Sequence, residues 1–290
     1  MLTVLIGLFA ALSFGAADFA GGMGTKRLHA LAVTGVVAIV GLIVLVSVSL
    51  LSADQWSAQS LLWGGLSGLA GLGAIGLLYA CLARGPMSVL SPTTAVLSAL
   101  VPMTWGALTG EALSGFVYPA LALALVAAVL VGFIPDERAV RPTPTALLMA
   151  VGSGLLIGLF YIFIDIAPAD SGITPLVANR GIQTTLVVVL LLVLVSRKGF
   201  ASLIKPDTQW VMSWKKLWTL VVIGGVLDAT ANILILTGFR LGDMTIVAVL
   251  TALYPAGTIL LAAVVLRERI QPVQWVGLAL ALIASMLLAQ

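Results

Sequence analysis

The sequence predicts an all-α membrane protein: ten transmembrane helices, arranged as two inverted five-helix repeats around a central cavity. Three observations predict it: a composition too apolar for water, ten long apolar runs, and a self-match at a fixed offset. Of 290 residues, 61% are apolar and only 9% charged, and the mean hydropathy is +1.20. A soluble domain carries roughly 25% charged residues to face water, so this surface must face lipid. The reading is an integral, multi-pass protein of a bacterial inner or cell membrane.

A helix needs about 20 mostly apolar residues to cross the hydrocarbon layer. Such runs fall near 2–24, 31–52, 61–83, 87–108, 115–134, 145–166, 175–196, 217–238, 243–265 and 271–289. They are too long and continuous for the alternating pattern of a lipid-facing barrel. The N-terminal run lacks the basic leader and cleavage site of a signal peptide, so it is read as the first span. The seven tryptophans lie at or near span ends, where indoles prefer to sit.

Lys and Arg set the orientation. Connections 1–2, 3–4, 5–6, 7–8 and 9–10 hold Lys26, Arg27, Arg84, Arg138, Arg141, Arg197, Lys198, Lys205, Lys215, Lys216, Arg267 and Arg269. That is 12 of 14 basic residues, leaving Arg180 inside a span and Arg240 at the opposite side. The positive-inside rule puts the basic side in the cytoplasm and both termini outside.

The chain matches itself at an offset of 157: GPMSVL (85–90) with GDMTIV (242–247), Glu111 with Glu268, and 120–130 with 277–287. Earlier in the chain the best offset is nearer 145. A charged, Pro-rich segment, PDERAVRPTP (135–144), separates the halves. The organisation is therefore 1–134 as the first repeat, 135–144 as linker and 145–290 as the second repeat. Five spans per half is odd, so the second half enters the membrane inverted, an architecture common among transporters.

The elements LTALYP (250–255), RERI (267–270) and QWVGLALALIASMLLA (274–289) are matched in the first half by VLSALVP (96–102) and GEAL (110–113). On these residues the chain resembles the drug/metabolite transporter superfamily, EamA type. The resemblance implies a helical basket around a cavity that moves amino acids, nucleobases, sugars or drug-like solutes. Many members of the superfamily keep both termini in the cytoplasm, the reverse of what the charges here predict. The expected function is a secondary transporter of a small metabolite working by alternating access. A lipid-linked substrate flippase on the same fold is the alternative, and a membrane-embedded enzyme is less favoured.

The enzyme reading finds little. VGSGL (151–155) lacks the first glycine of a GxSG motif, His29 lies in a connection, and Cys81 stands alone. No spacing of His, Cys and carboxylates suits a metal, and no Gly-rich loop ends in Lys-Ser/Thr. No cofactor, metal or nucleic-acid partner is expected. The expected partners are a small-molecule substrate, membrane lipid and a coupling proton or ion, for a monomer or homodimer.

Ionisable groups inside spans are costly facing lipid and so mark cavities. Asp228 lies near mid-span, with Gly224 and Asn232 on the same helix face at i−4 and i+4. No Lys or Arg shares its depth in spans 8 and 9, so it is expected to hold a proton or a cationic group, with Asn232 as neighbour. Asp18 and Asp165 fall within two residues of each other under the 145 offset; Asp18 is a further candidate for substrate or ion binding, and Asp165 is expected to form an ion pair with Arg180, either as a gate or in a purely structural role. Tyr161, Tyr79 and Tyr254 are candidate cavity residues.

Pro102 and Pro255 should kink spans 4 and 9 by removing a backbone bond and so serve as hinges. Glu111 and Glu268 stand where a carboxylate complements a helix N-terminus. Gly64-x-x-x-Gly68 and Gly154-x-x-x-Gly158 suit close packing within the bundle. Trp210, Trp214 and Trp218, beside Lys215 and Lys216, read as an interfacial amphipathic helix.

Overall fold

A backbone surrounded by lipid must satisfy its own hydrogen bonds, and the apolar runs do so as helices. The computed structural model describes all residues except 53, 83, 85–86, 112, 134–141, 205–212, 243 and 290, and the side chains of 87 and 88. The helices are α1 (Leu2–Thr25), α2 (Ala30–Leu51), α3 (Ala58–Leu82), α4 (Met87–Thr109), α5 (Val117–Gly132) and α6 (Pro144–Ile166). They continue with α7 (Thr174–Lys198), α8 (Trp214–Leu241), α9 (Met244–Thr251), α10 (Tyr254–Leu261) and α11 (Pro272–Leu288). Among the described residues, seven segments are long and apolar enough to cross a membrane, with α9, α10 and the π turn after them counted as one segment, Met244–Leu266. The protein is thus an all-helical integral membrane protein.

Polar starts fix several helix ends. Thr143 Oγ1 accepts from Ala146 N at 3.2 Å ahead of Pro144, and His29 Nδ1 accepts from Leu31 N at 3.2 Å. Gln271 and Gln274 cap α11 reciprocally. Each supplies a partner for amide groups that a helix start leaves orphaned.

Small residues decide the packing. Gly64 and Gly68 of α3 meet α7, where a Cβ on Gly68 would lie 2.7 Å from Asn179 O. Gly154 meets Thr94 O of α4, which a Cβ would approach to 2.8 Å. Both pairs therefore serve packing within the bundle, as their spacing predicts. Buried polar bonds tie α3 to α7 and to α6. Asn179 Nδ2 donates to Ser67 Oγ at 2.6 Å, and Ser153 Oγ donates to Ala74 O at 2.8 Å.

Three expectations need correction. Span 9 is not one kinked helix: it breaks after Thr251, and Tyr254 starts a new helix with Pro255 in its first turn. A proline there removes no bond of its own helix, because first-turn amides have no intrahelical acceptor. Pro255 is therefore a helix starter and not the partner of Pro102, which lies inside α4 together with Pro92. Trp214 and Trp218 belong to the first turns of α8 and not to a separate interfacial helix; Trp210 lies outside the described residues. Of the linker and basic connections, Arg138, Arg141 and Lys205 also lie outside them.

Candidate substrate site

The break in span 9 sits against α1. Thr258 Oγ1 donates to Gly15 O at 3.1 Å. A Cβ on Gly15 would stand 2.5 Å from Tyr254 O, 2.7 Å from Thr258 N and 2.8 Å from Gly257 Cα. Only glycine at 15 lets the two backbones come this close, and the approach carries Tyr254 to the level of Asp18, one turn further along α1. Among the described residues, the buried Thr251 Oγ1 at the end of α9 has no hydrogen-bond partner.

Asp18 is exposed, yet Asp228 on α8, Tyr254 on α10 and Tyr79 on α3 all stand within electrostatic range of it. Asp18 is thus an accessible group on a helix that packs against α8 and α10. Tyr254 also lines a cavity of about 40 Å³, whose wall includes Ser91, Thr94 and Ser98 of α4 and Ile157 and Tyr161 of α6. Tyr161 is buried, with its ring edge-on to Phe239 at 5.8 Å between centroids. Tyr79 is 58% exposed.

Asp228 does not stand alone. The Arg180 guanidinium forms an ion pair with it through Nη2, and Arg180 Nη1 donates to Gln183 Oε1 at 3.3 Å. Arg180 is reached from α7 because Gly41 of α2 leaves room. A Cβ there would lie 3.3 Å from Arg180 Nε and 3.6 Å from Cζ. Asn232 Nδ2 donates to Asp228 O at 2.8 Å and reaches Asp228 Oδ2 at 3.5 Å. The Gly224–Asp228–Asn232 stripe is therefore real, but its carboxylate already has a cation.

This overturns the expected Asp165–Arg180 gate. Arg180 lies only a few residues into α7, but its long side chain runs along Gly41 to the middle of α8, away from the short connection that leads back to Asp165. Asp165 stands instead within electrostatic range of Glu111. Glu111 accepts from Thr245 N at 3.2 Å and from Thr245 Oγ1. It thus complements a helix N-terminus as expected, that of α9 in the other half of the chain. Gly106 makes room, since a Cβ there would press on Thr245 Oγ1. Glu268 is exposed.

The residue types at the site were legible, but their partners were not. Gly15, Gly41, Gln183 and Thr251 gave no signal that separates them from ordinary packing residues. Only the i, i+3 spacing of Arg180 and Gln183 on one helix face pointed to a shared role.

A search of curated proteins returned no match. Among solved structures 29 chains match. One of them, a crystal structure described only as that of a protein, covers 99% of this chain and 96% of its own with a TM-score of 0.70 at 19% identity. That likeness concerns the fold. The profile of the EamA-like transporter family matches residues 144–290, half of the sequence, and the chain belongs to that family.

Proposed function

We propose that the protein is a secondary transporter that moves a small metabolite by alternating access between two inverted five-helix repeats, 1–134 and 145–290, around the cavity at the span 9 break. One observation carries this reading. Glu111 and Glu268 are the same residue type at the 157 offset, yet Glu111 is fastened to the start of α9 while Glu268 is exposed. A carrier needs its two faces to differ when one is shut and the other is not; Ser88, the position equivalent to Thr245, has its side chain outside the described residues, so the difference rests on the exposure of Glu268.

The packing supports the repeat. Exchanging the first five spans for the last five turns α1–α8 contacts into α6–α3, α4–α6 into α9–α1, and α3–α7 into α8–α2, and all of these occur. The spans-4 and 9 helices also end alike, with Gly110 at φ 88° and Arg267 at φ 57°, 157 residues apart. The connections of the other helices are tied together by Ile173 N donating to Asp54 at 2.9 Å and His29 N donating to Leu203 O at 2.8 Å. The asymmetry therefore falls on spans 4 and 9. Thr94 and Thr251 repeat it. Thr94 Oγ1, with one proton to donate, lies 3.1 Å from both the Leu90 and the Ala150 carbonyl, whereas Thr251 Oγ1 has no partner among the described residues.

With the basic connections in the cytoplasm, Glu111 latches the outer face and both termini lie outside.

The test is sided labelling in a Cys81→Ser background. With a cysteine at Ser98, a membrane-impermeant maleimide is expected to react from the basic side only, and Glu111→Ala should open the other side as well. Equal labelling from both faces while Glu111 is present would exclude the latch. Counterflow of metabolites in proteoliposomes tests transport itself.

A further inference from the structure

Three pieces of chain meet at the basic ends of the spans and leave a groove between them. Leu28, in the connection from α1 to α2, forms an isolated antiparallel bridge with Ile204, and His29 N donates to Leu203 O at 2.8 Å. These pairings fold the 3₁₀ turn Phe200–Leu203, which follows α7, back against the start of α2. The groove measures about 530 Å³. Its wall is formed by Leu28 and Ala32, by Phe200 and Ile204, and by Trp214 and Trp218 at the start of α8. Among the described residues, every side chain lining it is aliphatic or aromatic. Phe200, Ile204, Trp214 and Trp218 are nonetheless exposed. The two connections that build this groove, 24–30 and 197–216, hold seven basic residues against one acid, Asp207. That surplus of positive charge remains whichever of them pair. One of the charges sits at the rim, where the Arg27 guanidinium carbon stands 5.1 Å from the centroid of the Trp214 ring. Lys198, Lys215 and Lys216, within two residues of Phe200 or Trp214, are exposed.

We propose that this groove binds an anionic phospholipid of the surrounding leaflet, with an acyl chain along the apolar wall and the phosphate among the basic residues beside it. A large apolar surface rimmed by polar groups gains by being covered. At the level where spans end, the apolar molecules at hand are lipids. The rim decides which lipid. Basic pockets between span ends attract anionic headgroups, whereas a zwitterionic headgroup would bring its own ammonium into a region already in positive surplus. A guanidinium offers a phosphate two parallel hydrogen bonds, and the Trp214 face beneath Arg27 helps to hold it in place. Indoles also favour this depth, between hydrocarbon and water. The groove shares no residue with the cavity at the span 9 break, so the proposal stands apart from the transporter reading. A lipid there would touch the first half of the chain through Leu28 and Ala32 and the second through Phe200, Trp214 and Trp218. It binds only where these pieces are assembled, so it should stabilise the folded chain.

The experiment adds dioleoyl-phosphatidylglycerol, dioleoyl-phosphatidylcholine or inorganic phosphate to the purified, delipidated protein in detergent and follows Tm. Phosphatidylglycerol is expected to raise Tm in a saturable way, at a concentration about tenfold or more below that needed of phosphatidylcholine, and inorganic phosphate is not expected to raise it. The triple change Lys198→Gln, Lys215→Gln and Lys216→Gln should bring the two lipids close together. Ala201→Trp places a large ring in the groove from an exposed position of its wall and should abolish the saturable effect. Equal action of the two lipids on the wild type, an equal effect of inorganic phosphate, or wild-type lipid binding in Ala201→Trp would overturn the proposal. The occupant is read separately with phosphatidylglycerol brominated on its acyl chains. It should quench tryptophan fluorescence more than brominated phosphatidylcholine does, and the excess should vanish when Trp214→Phe and Trp218→Phe are combined. An excess that persists in that variant places the lipid elsewhere. No excess in the wild type means that something else covers the groove, such as residues 205–212 of this chain, which lie outside the described ones. Either result overturns the assignment.

Discussion

Arg180→Gln and Asp228→Asn are each expected to lower stability by about 3–5 kcal/mol, and the double substitution by far less. The two side chains are only 9% and 20% exposed, so removing one leaves the other charged in a place where neither lipid nor water can solvate it. Removing both leaves two neutral groups that can still hydrogen-bond, with Gln183 and Asn232 at hand. The singles should also lose transport, because Asp228 stands within range of Asp18 and, in Asp228→Asn, an unpaired Arg180 would add a competing cation there. Thermal unfolding in detergent of the wild type, both singles and the double gives the coupling as a double-mutant cycle. Additive losses would mean that the pair contributes nothing beyond its separate groups.

That cycle concerns a pairing which sequence reasoning got half right. Arg180, Asp228 and Asn232 were recognisable, because ionisable groups inside apolar runs cannot be accidental. The partner of Arg180 was not, because depth in the membrane was judged from distance along the helix. An arginine side chain spans several ångströms, and Gly41 on a third helix opens the path to Asp228; neither fact lies in the sequence of α7. The helix positions were legible throughout, since hydrophobic run length and helix length measure the same slab of lipid. The break at Thr251–Tyr254 was not. Pro255 signals some disturbance, but a kink inside one helix and a fresh start for another have the same composition. The pairing of Glu111 with a helix N-terminus followed from its position past span 4, while the identity of that helix depends on how the two halves pack.

The break also makes a glycine of α1 decisive. Gly15→Ala is expected to reduce transport by about tenfold or more and to lower Tm. Its added methyl would lie 2.5 Å from Tyr254 O, 2.7 Å from Thr258 N and 2.8 Å from Gly257 Cα, all backbone atoms that no side-chain rotation can move. Overpacking of this kind costs about 1–3 kcal/mol. Relief requires α10 to back away from α1, which stretches the bond from Thr258 Oγ1 to Gly15 O and draws Tyr254 off Asp18. The damage to the site should therefore exceed the damage to the fold. Gly21→Ala provides the control on the same helix, since nothing lies within 4 Å of the Cβ it would add. It should transport and melt like the wild type. Equal behaviour of the two variants would show that the close approach of α1 to the break has no part in forming the site.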